Sequence, residues 1–486
     1  MELQWNKKAC VYLQTDVHQV VNQEQTQEIR LPDGMPDIGR VLCAWGQPTV
    51  RSKEWRNDGM SVSGGVAASV LYQPEDGSEP RCAEVWIPFQ ARWSFPQAKR
   101  EGSIRTRCLL RSIDARTLSA RKLMVRASVG VLGIGLEPAE SEVYIPGEVP
   151  AGVELLTREY PLVLPKEAGE KLFYLEEDVK IPGVRKWISW QLQPELAEQS
   201  VVGSRAVFRG TGRLSYGYLD ENGNVQKGSS EIPFAQFGDL DKDYDREASL
   251  DVMMELSSVE PEITEEGAHV QCGIMAQYLV WGRELLAVAQ DAYSPEMEVS
   301  VEQQPLLLPV GLECREETLE AQAEFRDGRV TDVQFLPDFP TQYREGDGVS
   351  LEFPAQFQIL YQDEDGNTQC VSENWVGSMT LPAGRDSRIF PAVMGWQPVD
   401  AALPGARMKL RLQTTANQPI DMISAITVGE RKERAQGRPS LILRRMDAES
   451  LWELAKASGS TVSAIRKANA LTEEPAPGQM LLIPIS

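Results

Sequence analysis

Few residues in this chain have the types and spacing of a reaction centre. There are 2 histidines, His18 and His269, too few for a His-rich metal site. A Ser-His-Asp triad would need distant segments to meet, so each histidine reads as a surface or partly buried strand residue. Ser119 and Lys122 have the S-x-x-K spacing of penicillin-interacting serine enzymes, and Ser372-Glu373-Asn374 has the S-x-N form, but the third element, K-T-G, is absent. Gly130, Gly133 and Gly135 miss the G-x-G-x-x-G spacing of a dinucleotide loop and predict a strand bulge or tight packing instead. In "GNVQKGSS" (223–230), Ser229 stands where a phosphate loop needs its lysine, so a triphosphate would lack its main counter-charge. "DEDGN" (363–367) begins like a calcium loop but has no helix–loop–helix frame and no closing bidentate Glu. The residues therefore predict no catalysis, no cofactor and no metal site.

The elements that hold these residues are strands. "YQPEDG" (72–77), "YLDENG" (218–223) and "YQDEDG" (361–366) are three versions of one phrase, with Tyr72 to Tyr218 spanning 146 residues and Tyr218 to Tyr361 spanning 143. Similarity at a near-constant period means one structural unit used repeatedly. Before each copy the residues alternate (Val66, Ala68, Val70, Tyr72; Gly212, Leu214, Tyr216, Tyr218; Ala355, Phe357, Ile359, Tyr361), the pattern of half-buried strands. The Asp-Gly or Asn-Gly pair then supplies the positive φ angles of a tight hairpin turn. Short strand-like runs separated by Gly, Pro, Asp and Asn fill most of residues 1–430. The expected fold is mainly β: three repeated all-β modules, sandwich or barrel, over 1–150, 151–298 and 299–430. Trp5, Trp45, Trp55, Trp86 and Trp93 could form carbohydrate platforms, but in strands they are more often core or cross-strand pairs.

Composition narrows the partners. With 49 basic and 71 acidic residues the net charge is −22, which opposes nucleic acid and anionic membranes. No apolar run approaches the length of a membrane helix, and the first residues lack the apolar core of a secretory signal. The 7 cysteines are scattered, with no C-x-x-C pair, and read as reduced thiols. A cytoplasmic location is the expectation.

The last residues have a different pattern. "GERKERAQGRP" is charged and reads as a linker (431–438), and 439–486 follow as strand, helix, helix, strand. Ser450 is a plausible N-cap for a helix with Leu451, Leu454 and Ala455 inward, and Trp452 is expected to pack the small core or its edge. A second helix from about Val462 has Val462, Ile465 and Ala468 inward and ends near Asn469, a residue suited to a left-handed position. Leu451-Trp452, Ala455-Lys456, Thr461-Val462, Ile465, Asn469, Leu471, Pro477-Gly478-Gln479 and Leu482-Ile483-Pro484 resemble, in order, the pattern of a LysM domain, which implies a small α+β (βααβ) fold. The chain departs from the family in the first loop, where Pro-Gly-Asp-Thr is replaced by Asp447-Ala448-Glu449-Ser450.

Together with "LPDGMPDIGRVL" (31–42), the three β modules and "ISAITVGE" (423–430), this tail gives the chain the order found in clostridial spore-coat morphogenetic proteins, which carry SPOCS modules and a C-terminal LysM and are partners of stage IV sporulation protein A. The resemblance implies a non-enzymatic adaptor in the mother-cell cytoplasm, at the forespore outer surface and spore coat. It would recruit or anchor that coat ATPase, and other coat proteins, without inserting into the membrane. The expected contact residues are those of the two LysM loops: Asp447, Ala448, Glu449, Ser450, Leu451, Asn469, Leu471, Pro477, Gly478 and Gln479. The alternative is a cell-envelope protein that binds peptidoglycan or chitin oligomers, the commoner use of LysM. That reading needs export and a Gly-Asp first loop, and the sequence offers neither.

Overall fold

The computed structural model describes residues 6–95, 101–145, 149, 151–346, 348–382, 384, 387–399, 403–432, 439–447 and 449–485. It is mainly β, with several small antiparallel sheets. The first group of strands is β1 (Asn6–Arg30), β2 (Ile38–Arg56), β3 (Gly59–Pro74), β4 (Arg81–Ser94), β5 (Ser103–Ser119) and β6 (Lys122–Ile145), forming the sheets β1-β6-β5 and β2-β3-β4. Side chains from both sheets, among them Val66, Ile87, Val125 and Val129, share one core, so the pair is a sandwich.

The second group is β7 (Glu154–Lys180), β8 (Lys186–Leu219), β9 (Val225–Tyr244), β10 (Ser249–Ile263) and β11 (Gly267–Tyr293), in sheets β10-β11-β7 and β8-β9. β8 turns back on itself at Gly203, whose φ is +61°. Gly210 lies against the Glu195 carbonyl and Gly217 against Ile188 and Ser189. The third group is β12 (Met297–Gln322), β13 (Arg329–Pro337), β14 (Thr341–Glu345), β15 (Gly348–Gln362), β16 (Thr368–Pro382), β17 (Ser387–Val399) and β18 (Gly405–Arg431). Here β12-β18-β17 form one sheet, while β13 and β14 share one edge of β15 and β16 takes the other. The chain ends with β19 (Leu441–Arg445), α1 (Leu451–Ser458), α2 (Val462–Ala468) and β20 (Met480–Pro484).

The tripled phrase is in each case the end of a strand and its turn. Tyr72 pairs with Arg81, Leu219 with Val225 and Gln362 with Thr368 across the turns. Only the glycine is left-handed, with φ of +73° at Gly77, +76° at Gly223 and +78° at Gly366. The residue before it keeps negative φ, so these are not the two-residue turns expected from Asp-Gly and Asn-Gly. The loops are longer, and those of the second and third copies are organised by an aspartate. Asp220 accepts the backbone N–H groups of Asn222 and Asn224, and Asp363 those of Asp365 and Asn367. These bonds hold both carboxyls below the usual carboxylate range.

The three groups interlock through apolar and polar contacts. Cys10 and Val143, Leu162 and Leu286, and Leu308 and Met422 join the long antiparallel strand pairs β1-β6, β7-β11 and β12-β18 in one buried cluster. A second cluster brings Leu42, Cys43 and Leu71 together with Ile188, Leu219 and Leu360. Between the groups, Gln277, wholly buried, uses its side-chain amide as a strand would, accepting from the Thr106 N–H at 2.8 Å and donating to the Thr106 carbonyl at 2.9 Å. Asp332 of the third group accepts from Trp45 Nε1 of the first and from Lys227 of the second.

At the heart of the interface lies a buried charge triad. Arg105 on β5 donates to the Asp251 carboxylate on β10 at 2.8 Å and to its carbonyl at 3.1 Å, and Arg411 on β18 pairs with the other carboxylate oxygen. Beside it, Arg107 faces Glu255 at 3.3 Å, and Glu255 also accepts the Cys108 N–H at 3.0 Å. Burial alone would raise the Asp251 carboxyl, but the two guanidiniums outweigh it and hold it low. Glu255 has one such partner, so burial dominates and pushes it up to about 7.

Two outcomes follow from this asymmetry. Asp251→Ala leaves two arginines buried without their anion and should cost about 3–5 kcal/mol in urea unfolding. Because the folded pKa of Glu255 lies above its unfolded value of 4.5, the folded state binds the extra proton and stability falls as pH rises from 4.5 to about 7. Asp251 has the opposite sign, contributing stability that is lost only as pH falls through its depressed pKa. Glu255→Gln should therefore flatten the decline in melting temperature between about pH 5 and about pH 8; an unchanged slope would mean that Glu255 does not titrate there.

Candidate partner-binding site in the C-terminal unit

The tail builds its own small core. Leu451, Leu454 and Ala455 of α1, Ile465 of α2, and Leu481 and Ile483 of β20 are buried together with Met446. α1 starts at a complete capping box. The Ser450 hydroxyl accepts the Glu453 N–H at 3.2 Å, and the Glu453 carboxylate accepts the Ser450 N–H at 2.7 Å. The Ser450 N–H, and then the Ser450 hydroxyl, donate to the Glu453 carboxyl and hold it below its usual range. The helix ends at Gly459, left-handed with φ of +66°.

α2 ends differently from the sequence expectation. Asn469 has φ of −109°, and the left-handed residue is Ala470, with φ of +50°. Asn469 is held to its conformation by another task. Its side-chain amide donates to the Leu482 carbonyl at 2.6 Å and to the Ile465 carbonyl at 2.9 Å, while its oxygen accepts the Leu482 N–H at 2.8 Å. It thus ties α2 to β20. Ala468, expected inward, is exposed.

The structure brings the two predicted loops side by side. The Met446 N–H donates to the Gln479 carbonyl at 2.9 Å and the Gly478 N–H to the Met446 carbonyl at 2.7 Å. Gly478 makes the return with φ of +88°. Asp447, Ser450, Pro477 and Gln479 are exposed, whereas Glu449 is half-buried in an ion pair with Arg444 at 3.0 Å. Leu451 belongs to the core and Leu471 packs against it, so both shape the loops from beneath. Ala448 lies outside the described residues, as do Trp5 and linker residues 433–438.

Sequence reasoning missed two features. Leu441, Leu443, Met480 and Leu482 are exposed on the two-stranded sheet, with Leu443 opposite Leu482. Alternation along "MLLIPI" gave a signal for Met480 and Leu482, but a five-residue β19 was too short to show which of its faces was inward. The tail also docks on the β body. Trp452 Nε1 and Lys456 Nζ both donate to Asp291 at 2.8 Å, Trp452 meets Tyr293 edge-on at 4.8 Å, and the Tyr293 hydroxyl donates to the Ser460 carbonyl at 3.0 Å. Trp452 therefore packs the edge of the tail core against β11, and the α1 face carrying it is occupied by the chain itself.

The residues singled out for chemistry are spread over separate strands. Ser119 and Lys122 pair across the β5-β6 turn, and Ser372 sits on β16. Gly130 and Gly133 lie against Phe339 and Trp93, which is close packing within strands. His18 stacks edge-on with Phe390 at 5.2 Å, and burial lowers its pKa. His269 is exposed and bonds Asp178 at 2.8 Å, which raises its pKa. Among the described residues no group of three or more His, Cys, Asp or Glu is placed to hold a metal ion, and no helix is long and apolar enough to cross a membrane.

Two substitutions test how the loops are supported. Ala470→Gly relieves a left-handed alanine and should stabilise the tail by about 0.5–1 kcal/mol. Asn469→Ala removes three hydrogen bonds and should cost about 2–3 kcal/mol. Amide hydrogen exchange across 461–485 reads both, and equal, small effects would contradict the assignment of Asn469 as the tie.

No family model, curated protein or solved structure matches the chain.

Proposed function

We propose that the protein is a non-enzymatic adaptor of the spore-coat morphogenetic type, in which the β body is a scaffold and the tail, a LysM domain, captures a coat protein similar to stage IV sporulation protein A at the forespore surface. Three repeats of one β module account for the body. In each group the first long strand pairs with the last, and the last with the strand before it: β1-β6-β5, β7-β11-β10 and β12-β18-β17. A central cavity of about 110 Å³ is lined by matching segments, Gly46-Gln47-Pro48, Leu192-Gln193-Pro194 and Phe335-Leu336-Pro337. For the tail, the order β19-α1-α2-β20 and the residues quoted above support the LysM reading.

The observation that carries the proposal is the pairing of the two loops through Met446, Gly478 and Gln479. It leaves Asp447, Pro477 and Gln479 exposed on neighbouring segments above a packed core. A surface held by a packed core gives up little conformational entropy on binding, so even a small surface can be specific. The first loop lacks the glycine of the family pattern, which favours a protein partner over a glycan.

The test uses the full chain. Asp447→Lys with Gln479→Lys changes two exposed side chains and should weaken capture of the coat ATPase about tenfold, about 1.4 kcal/mol, with an unchanged melting temperature. Titration with N-acetylglucosamine oligomers should show no binding tighter than about millimolar. Undiminished capture by the double variant would remove the loops as the site, and tight oligomer binding would restore the glycan reading.

A further inference from the structure

Cys43 lies on β2 of the first group and Cys370 on β16 of the third, 327 residues apart in the chain, yet their sulfurs are 2.9 Å apart. Their neighbours are pinned as well. Arg40 donates to the Thr368 carbonyl at 3.1 Å, and Trp45 Nε1 donates to Asp332 at 2.9 Å. The approach is thus set by backbones fixed on both sides of Cys43. Among the described residues the other cysteines form no such pair. Cys82, in the same apolar cluster, is turned away to donate to the Ile188 carbonyl at 3.3 Å.

We propose that Cys43 and Cys370 are a cross-linking site, a reversible disulfide that staples the first β group to the third. Cys370 is the half-buried member and Cys43 the buried one, 4% exposed. Burial together with the neighbouring Cys370 thiol pushes the Cys43 thiol up, which assigns the first step to Cys370. The Cys370 thiol loses its proton and the thiolate attacks a sulfur of a low-molecular-weight disulfide, forming a mixed disulfide and releasing one thiol. Cys43 then gives up its proton and attacks the Cys370 sulfur, so that the Cys43–Cys370 bond forms and the second small thiol leaves. The protein loses two electrons and two protons, and the small disulfide is reduced to two thiols. The cross-link joins positions 327 residues apart in the chain, restricting the unfolded state and opposing separation of the first and third groups.

The experiment treats the full chain carrying Cys314→Ser, which removes the exposed thiol, with oxidised glutathione, then maps peptides without reduction and counts thiols in denaturant. The expected result is a loss of two thiols, one peptide pair joining Cys43 to Cys370, no retained glutathione, and a melting temperature about 3 °C higher than that of the reduced protein. Cys370→Ser should abolish the pair and the shift together while leaving the reduced melting temperature in place. Glutathione retained on Cys370 without the pair, a pair involving a different cysteine, or no loss of thiols would each overturn the proposal.

Discussion

Asp251 is one carboxylate shared by two guanidiniums from different strand groups, Arg105 on β5 and Arg411 on β18. Taking three charges out of water is costly, and the cost is recovered only while all three remain together. The apolar clusters between the strand groups supply non-directional attraction and would tolerate sliding. The triad and the Gln277–Thr106 pair do not tolerate it, because a small displacement leaves buried polar groups without partners. Attraction therefore comes from the apolar clusters, and the mutual placement of the groups from the charges.

This division of labour bears on what the body can do. Three two-sheet units joined by flexible linkers would present their surfaces independently, whereas interlocked units present them in a fixed arrangement. The tail extends the same logic. Asp291 receives both Trp452 and Lys456, and Tyr293 reaches Ser460, so the small domain is oriented by the end of β11. A partner that binds the loops would meet a tail already aimed, and the entropy of aiming it would not be lost again on binding.

Much of this was legible in the sequence where periodicity was local. Alternation before each Tyr, the Gly of each turn, and the capping pattern at Ser450 all depend on neighbours in sequence, and all have structural counterparts. The contacts that join the groups were not legible, because Arg105, Asp251 and Arg411 sit in strands whose alternation places polar residues outward by default; only the facing group makes that side an interior. Asn469 illustrates an intermediate case. Its position at a helix end was readable, but its bonds to Leu482 require knowing that β20 lies alongside. That the two loops lie side by side rests on the Met446–Gln479 and Gly478–Met446 bonds, which join segments about thirty residues apart and leave no local signal, while the burial of Leu451 beneath them follows from its place in the inward stripe of α1 and could have been foreseen.

The claim on which the account rests is that the paired loops of the tail capture a protein. Hydrogen–deuterium exchange of the full chain, with and without the proposed coat-ATPase partner and separately with N-acetylglucosamine oligomers, tests it most directly. New protection is expected over 446–450 and 471–479 with the protein and none with the oligomers. Protection of those segments by the oligomers alone, or protection by the protein confined to the β body, would contradict it.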